Sequence, residues 1–181
     1  MLNTILGAFS SGVAASTSSY ESIATFTLGS NSSSEVIFTS IPSTYASLQI
    51  RSLSQVTANS LTYLYLQFNG DTGSNYMAHR LSGNGSAASA TSFSPTEIAL
   101  GMVAGTSSNN WTGGIADIHD YASTTKYKTL RSISGCDNNG SGTIALLSGL
   151  WMSTSAITSM RIFGNTYAAG STFALYGIKG A

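Results

Sequence analysis

The chain has 181 residues, of which 42% are hydrophobic and only 8% are charged, and its seven basic and seven acidic side chains cancel. This length fits one domain with a sizeable core, and the composition excludes a disordered chain and a membrane-spanning protein. Soluble domains usually carry about 25% charged residues. A surface filled instead with Ser, Thr, Asn and Gly predicts packing against neighbouring molecules. The alternative is a monomer kept soluble by hydroxyl and amide groups.

Residues 1–20 are predicted to form a docking arm that precedes a domain at residues 21–181. The arm carries no charge, and five of its apolar side chains fall on one helical face. These are Leu2, Ile5, Leu6, Phe9 and Val13. A secretory signal would need a basic first region, yet the first basic residue is Arg51. We therefore expect a short helical or extended arm that binds a neighbouring subunit, rather than a signal peptide.

After the arm, short apolar and β-branched runs alternate with Gly, Ser, Asn and Pro, which is typical of strands and turns. Eleven short strands are predicted, at residues 23–28, 35–41, 48–56, 61–68, 76–81, 97–103, 115–121, 127–133, 144–151, 157–163 and 172–178. Residues 83–94 and 105–110 are interpreted as loops. The fold expected from this pattern is all-β, an antiparallel β-sandwich of jelly-roll type.

One group of polar residues is assigned to the surface. Lys126, Lys128 and Arg131 form a small basic group, interpreted as the exposed face of one strand. The scattered positions of the other basic residues leave no patch for phosphates, so nucleic acid is not an expected partner. Cys136 is the only cysteine, which excludes an intrachain disulfide. Its neighbours suggest a turn, and a buried or bystander thiol is expected.

The stretch FNGDTGSNYMAHRL, residues 68–81, gathers side chains that resemble part of a calcium loop. A calcium loop that starts at Asn69 would need its closing glutamate at the twelfth position, where this chain has Arg80. The Asn69–Asp71 stretch with Gly70 is strong turn chemistry between two apolar runs. We therefore predict a turn, followed by a returning strand from Tyr76, and no bound metal.

The stretch ADIHDY, residues 116–121, places Asp117, His119 and Tyr121 on one side of a predicted strand. Asp117 and His119 are two metal-ligand types, and His79 is a candidate third, but zinc needs three or four ligands. We interpret this stretch as polar residues at the outer end of a strand. The sequence also contains no phosphate loop, nucleophile elbow or dinucleotide fingerprint, so no enzyme, cofactor or catalytic residue is predicted.

Four segments together resemble a family of tailed-bacteriophage virion structural proteins. They are IPSTYASLQIR at 41–51, FNGDTGSNY with HRLSGNGSA at 68–87, LSGLWMSTSAITS at 147–159 and FALYGIKG at 173–180. The resemblance covers roughly residues 20–181. It implies a particle component with a β-sandwich fold, commonly an accessory protein of the head or tail. The arm is a departure from many relatives, which begin near the first strand.

The expected function is therefore a capsid decoration, or cement, protein that binds major capsid protein or other virion proteins. We expect a homo-oligomer such as a trimer, located in the virion, assembled in the host bacterial cytoplasm, with no membrane partner. The alternative is a tail or fibre component that binds a host glycan through Trp111 or Tyr121; Trp151, at the end of an apolar run, is assigned to the core. A hydrolase acting on cell-surface sugars is a further alternative.

Overall fold

The computed structural model of the chain describes residues 18–31, 33–93, 96–106, 109–138 and 141–180. Twelve strands are found: β1 Tyr20–Thr27, β2 Glu35–Phe38, β3 Ser47–Val56, β4 Thr62–Phe68, β5 Tyr76–Gly83, β6 Ala88–Phe93, β7 Ile98–Gly105, β8 Thr112–His119, β9 Lys128–Asn138, β10 Ser141–Trp151, β11 Met160–Phe163 and β12 Thr172–Ile178. The described ranges contain no α-helix. They therefore contain no helix long and apolar enough to cross a membrane. The protein is therefore all-β, and the arm residues Leu2 to Val13 lie outside the described residues.

The strands form one large, mostly antiparallel sheet that contains two antiparallel runs. The first run has the order β1-β12-β3-β8-β9-β10-β5-β6, and the second has the order β2-β11-β4-β7. A short parallel pairing of β3 with β7, at Gln55↔Ala104 and Val56↔Gly105, joins the two runs. Eleven of these strands overlap the predicted ones, so the strand content of the chain is confirmed.

The core is built from the alternating inward positions of both runs. In β4, Leu64, Leu66 and Phe68 are buried, while Tyr63 and Tyr65 on the other face are partly exposed, as the alternation predicts. The inward face of β9 contacts β7 through side-chain hydrogen bonds. Ser132 Oγ donates to the carbonyl of Leu100 at 2.6 Å, and the Met102 N–H donates to Ser134 Oγ at 2.9 Å.

Three predictions about loops and turns are wrong. Residues 83–94 contain strand β6, which pairs with β5. Cys136 lies within β9 on its inward face, 5% exposed, rather than in a turn. The strand from Tyr76 does not return beside β4, because β5 pairs with β10 and β6, whereas β4 pairs with β11 and β7. The Asn69–Gly70 turn itself is present, with φ of 52° and 69°, and it carries the chain from one run to the other.

The predicted exposure of the basic group is wrong for Lys128, whereas Lys126 and Arg131 are exposed. Lys128 is 1% exposed and points inward from β9, where its Nζ donates to the carbonyls of Ser123, Lys126 and Ser153 at 2.6, 2.9 and 3.3 Å. Burial lowers the pKa of this ammonium group. Arg131 instead points outward from the same strand. Lysine is buried here because three carbonyl oxygens replace its water.

Candidate interaction surface

The outer face of the eight-stranded run is organised in rows that cross the strands. Residues directly opposite each other in paired strands share a face, so the register defines each row. One row contains Arg51, Ile115, Ile133, Leu146, Leu81 and Ala90, from β3 to β6. The next row toward one end contains Leu53, Gly113, Gly135, Ile144, Gly83 and Ala88.

Six branched aliphatic side chains of these two rows are about half exposed, and we call them the apolar patch. They are Leu53, Leu81, Ile115, Ile133, Ile144 and Leu146, each between 44% and 57% exposed. Single exposed apolar residues are common, but a contiguous group on a soluble protein marks an interaction site. The patch spans β3, β8, β9, β10 and β5, so the chain presents a broad apolar surface on a sheet face.

Two glycines leave a depression in the middle of the patch. Gly113 and Gly135 are opposite each other in β8 and β9, between Leu53 and Ile144. Ile115 and Ile133 border the depression on the adjacent row. A Cβ added at Gly113 would meet no atom within 4 Å, so packing within the chain does not require glycine at this position.

Beyond the patch, the same outer face becomes polar. The next row contains Gln49, Asp117, Arg131, Ser148 and His79. Gln49 bridges its neighbours: its Nε2 donates to Asp117 Oδ1 at 2.8 Å, and its Oε1 accepts from Arg51 Nε at 2.7 Å. The Arg51 guanidinium also lies 5.1 Å from the ring centroids of both Tyr20 and Tyr176. Arg51 and Asp117 are thus linked through Gln49, beside the patch.

The candidate metal ligands do not converge. Asp117 and His119 point outward from β8, but His79 lies in the row of Asp117 three strands away, about 14 Å at the usual strand spacing. Within the described part of the chain, no group of three His, Cys, Asp or Glu side chains is placed to hold a metal ion. Asp117 is instead held by Gln49.

The two candidate glycan-contact residues have different environments. Trp111 is 37% exposed and lies against Gly170, whose φ is 91°. Tyr121 is only 1% exposed, because β8 ends at His119 and Asp120 adopts a left-handed φ of 54°, which turns Tyr121 into the core. Its hydroxyl donates to the Pro42 carbonyl at 2.6 Å. This burial removes Tyr121 from the surfaces on which a sugar can stack.

The polar side chains of the 68–81 stretch hold the fold together. Asn69 Oδ1 accepts from the N–H groups of Thr158 and Ser159, at 2.9 and 3.1 Å. Asp71 accepts from the indole N–H of Trp151, and this bond is the main cause of the lowered pKa of that carboxyl. Burial raises the pKa of Tyr76 to about 12. These oxygens serve the connection between the two runs of strands.

Sequence reasoning did not find the apolar patch. The signal was present as apolar residues at alternate positions of several strands, but a continuous apolar run such as 144–151 has apolar side chains on both faces. Only the register shows that Ile133, Ile144 and Leu146 meet on the outer face.

No known family model, curated protein or solved structure matches this chain.

Proposed function

We propose that this chain is a structural protein of a bacteriophage particle, a decoration protein that binds the assembled shell and stabilises it. The observation that carries the proposal is the apolar patch on a protein with only 8% charged residues. Such a face promotes aggregation of a free monomer, but it is buried in the interface when the protein packs beside its neighbours on a particle surface. The resemblance of residues 20–181 to virion structural proteins supports the same role.

In this proposal the two runs of strands are the two layers of a β-sandwich, and the jelly-roll connection pattern stays a prediction. The hydrogen bonds that Ser132 donates to Leu100 and Ser134 accepts from Met102 support face-to-face packing of the runs. Close approach supports it too, since a Cβ on Gly149 of β10 would lie 2.6 Å from the Ile98 side chain of β7. The layer that bears the patch faces a neighbouring subunit, and the arm at residues 1–20 adds a second attachment.

A decoration protein that binds only the assembled shell stabilises that state by mass action. Partners in this role are the major capsid protein and other copies of the chain, located in a virion assembled in the bacterial cytoplasm. Neither catalysis nor a cofactor is part of the proposal.

The test is gold labelling of intact particles of the virus that encodes the chain, with antibodies against the purified protein. The proposal predicts regular labelling of heads. Purified chain added to particles that lack it should also raise the temperature at which the shells release DNA. Particles without any label, together with unchanged release, would refute a role on the head.

Glycan binding by a tail or fibre component is the second candidate, and the exposed Trp111 ring is the observation that favours it. Aromatic faces stack on sugars, and of the two candidate residues Trp111 is exposed whereas Tyr121 is buried. Labelling confined to tails, with glycan-array binding that is lost in Trp111→Ala, would favour this function over decoration.

A further inference from the structure

We infer that residues 1–17 of one copy bind across the apolar patch of a second copy, with apolar arm side chains seated over the depression at Gly113 and Gly135. The inference names a partner for the association surface of the proposed function and rests on that function only for its biological setting. The binding itself is a property of the purified chain.

The arm and the patch have matching chemistry. Residues 1–17 contain Leu2, Ile5, Leu6, Phe9 and Val13 and no charged residue. The patch is formed by six aliphatic side chains and two glycines. Two charged side chains border it: Arg51, which is held by Gln49 and two tyrosine rings, and the exposed Asp137, one row beyond Gly135. Both partners lose apolar exposure when they meet.

The described chain begins at the end of the sheet that lies away from its own patch. Tyr20, the first residue of β1, lies in the row of Ile178, Ser47 and His119. The pairing continues outward from there, because the Lys179 N–H donates to the Ser19 carbonyl at 2.9 Å. The chain upstream of β1 therefore leaves the sheet at the end opposite the patch, which begins two rows away beyond the polar row of Asp117.

Residues 1–17 are long enough to reach the patch of a second copy. An extended chain spans at most about 3.5 Å per residue, so residues 1–17 reach as far as roughly 60 Å. The arm can thus cross to the outer face of an adjacent copy without moving its own domain. The strands that carry the patch are internal to the sheet, and the arm contributes side chains rather than a new ladder of backbone hydrogen bonds.

The absence of a side chain at Gly113 shapes the patch. Neither packing nor a left-handed φ demands glycine there, since an added Cβ has open space around it. Strand positions without a side chain commonly mark the close approach of a ligand or another backbone. The missing side chain deepens the surface between Leu53 and Ile144, where an inserted apolar side chain gains contacts on several sides.

The test uses full-length chains in a Cys136→Ala background, which removes the single native thiol. One chain carries Phe9→Cys, and a second, distinguished by a size tag, carries Ile133→Cys. After mixing and mild oxidation, the inference predicts a disulfide between the two different chains. The matched control places the second cysteine at Ser155→Cys, an exposed position in the β10–β11 connection, and should give severalfold less product.

A third chain carries both Phe9→Cys and Ile133→Cys. A product that forms within this chain, with no product between mixed chains, would overturn the inference in favour of an arm folded over its own sheet. Predominant Ile133→Cys homodimers would overturn it in favour of sheet faces packed against each other. No disulfide in any mixture would overturn contact between the arm and the patch.

Gly113→Val distinguishes specific binding in the depression from non-specific hydrophobic association, because valine fills the depression while the face stays apolar. The inference predicts an unchanged melting temperature and a severalfold lower yield of the mixed-chain disulfide. An unchanged yield would overturn the seating at Gly113. If the disulfide forms but antibodies against the protein do not label particles, the proposed function fails while the inference stands. The two failures are therefore distinguishable.

Discussion

The indole N–H of Trp151 donates to Asp71 Oδ2 at 2.8 Å, a hydrogen bond between the end of β10 and the β4–β5 connection. Trp151 is 2% exposed, and its ring stacks on Tyr76 with an interplanar angle of 16°. Asp71 Oδ1 also accepts from the Gly73 N–H at 2.8 Å. One carboxylate thus fixes both the connection and the aromatic cluster at this end of the molecule.

The bond to Asp71 predicts a dependence of stability on pH. Because the pKa of Asp71 is lowered in the folded state, the unfolded state binds this proton more tightly. The stabilisation is complete above the ordinary carboxyl value near 3.8 and is lost as the pH falls through the lower folded value. Asp71→Asn should show a smaller loss of stability than the wild type between pH 5 and pH 2 in urea unfolding. Equal pH profiles would contradict this role for Asp71.

Asn69 is predicted to stabilise the fold in two ways. Its left-handed φ of 52° suits Asn or Gly, and its side chain bonds to the backbone of Ala156, Thr158 and Ser159. Asn69→Ala should reduce the free energy of unfolding by roughly 2–4 kcal/mol. Asn69→Gly keeps the backbone conformation but loses the side-chain bonds, so its cost should be smaller. A glycine variant as unstable as the alanine variant would show that φ contributes nothing.

Replacement of the buried Lys128 should be costly. Lys128→Met fits a similar volume but leaves three carbonyl oxygens without their donor, which is expected to cost roughly 2–4 kcal/mol. Lys126→Met is the matched control, because the Lys126 side chain is 66% exposed and forms a surface ion pair with Asp120. Its cost should be below about 1 kcal/mol. Chemical denaturation of both variants gives the comparison, and equal costs would contradict the structural role of Lys128.

Strand positions could be predicted because the inward faces of most strands repeat every second residue, as in Leu64, Leu66 and Phe68. Strand β6 could not, because ASATSF has few β-branched or large apolar residues and forms a strand on the edge offered by β5. The inward turn of Tyr121 depends on the conformation of Asp120, which strand periodicity does not encode. The burial of Lys128 depends on carbonyls as distant in sequence as Ser153.

The apolar patch could not be predicted from the sequence pattern of single strands. Ile115, Ile133 and Leu146 each look like core residues in their own strands, where apolar residues are expected to be buried. Their exposure follows from β8, β9 and β10 having a second, inward set of apolar or small residues that fills the core, including Ala116, Leu130 and Leu147. Only the strand order brings the outward set together.

Sedimentation velocity of full-length Leu146→Asp, beside Ser148→Asp and the wild type, tests most directly whether the apolar patch is the association surface. Leu146 and Ser148 are successive outward positions of β10, one in the patch and one in the polar row, so both variants add the same charge to the same strand. The account predicts oligomers for the wild type and Ser148→Asp, and a monomer with an unchanged circular dichroism spectrum for Leu146→Asp. A monomeric wild type, or oligomers of one size in all three proteins, would contradict it.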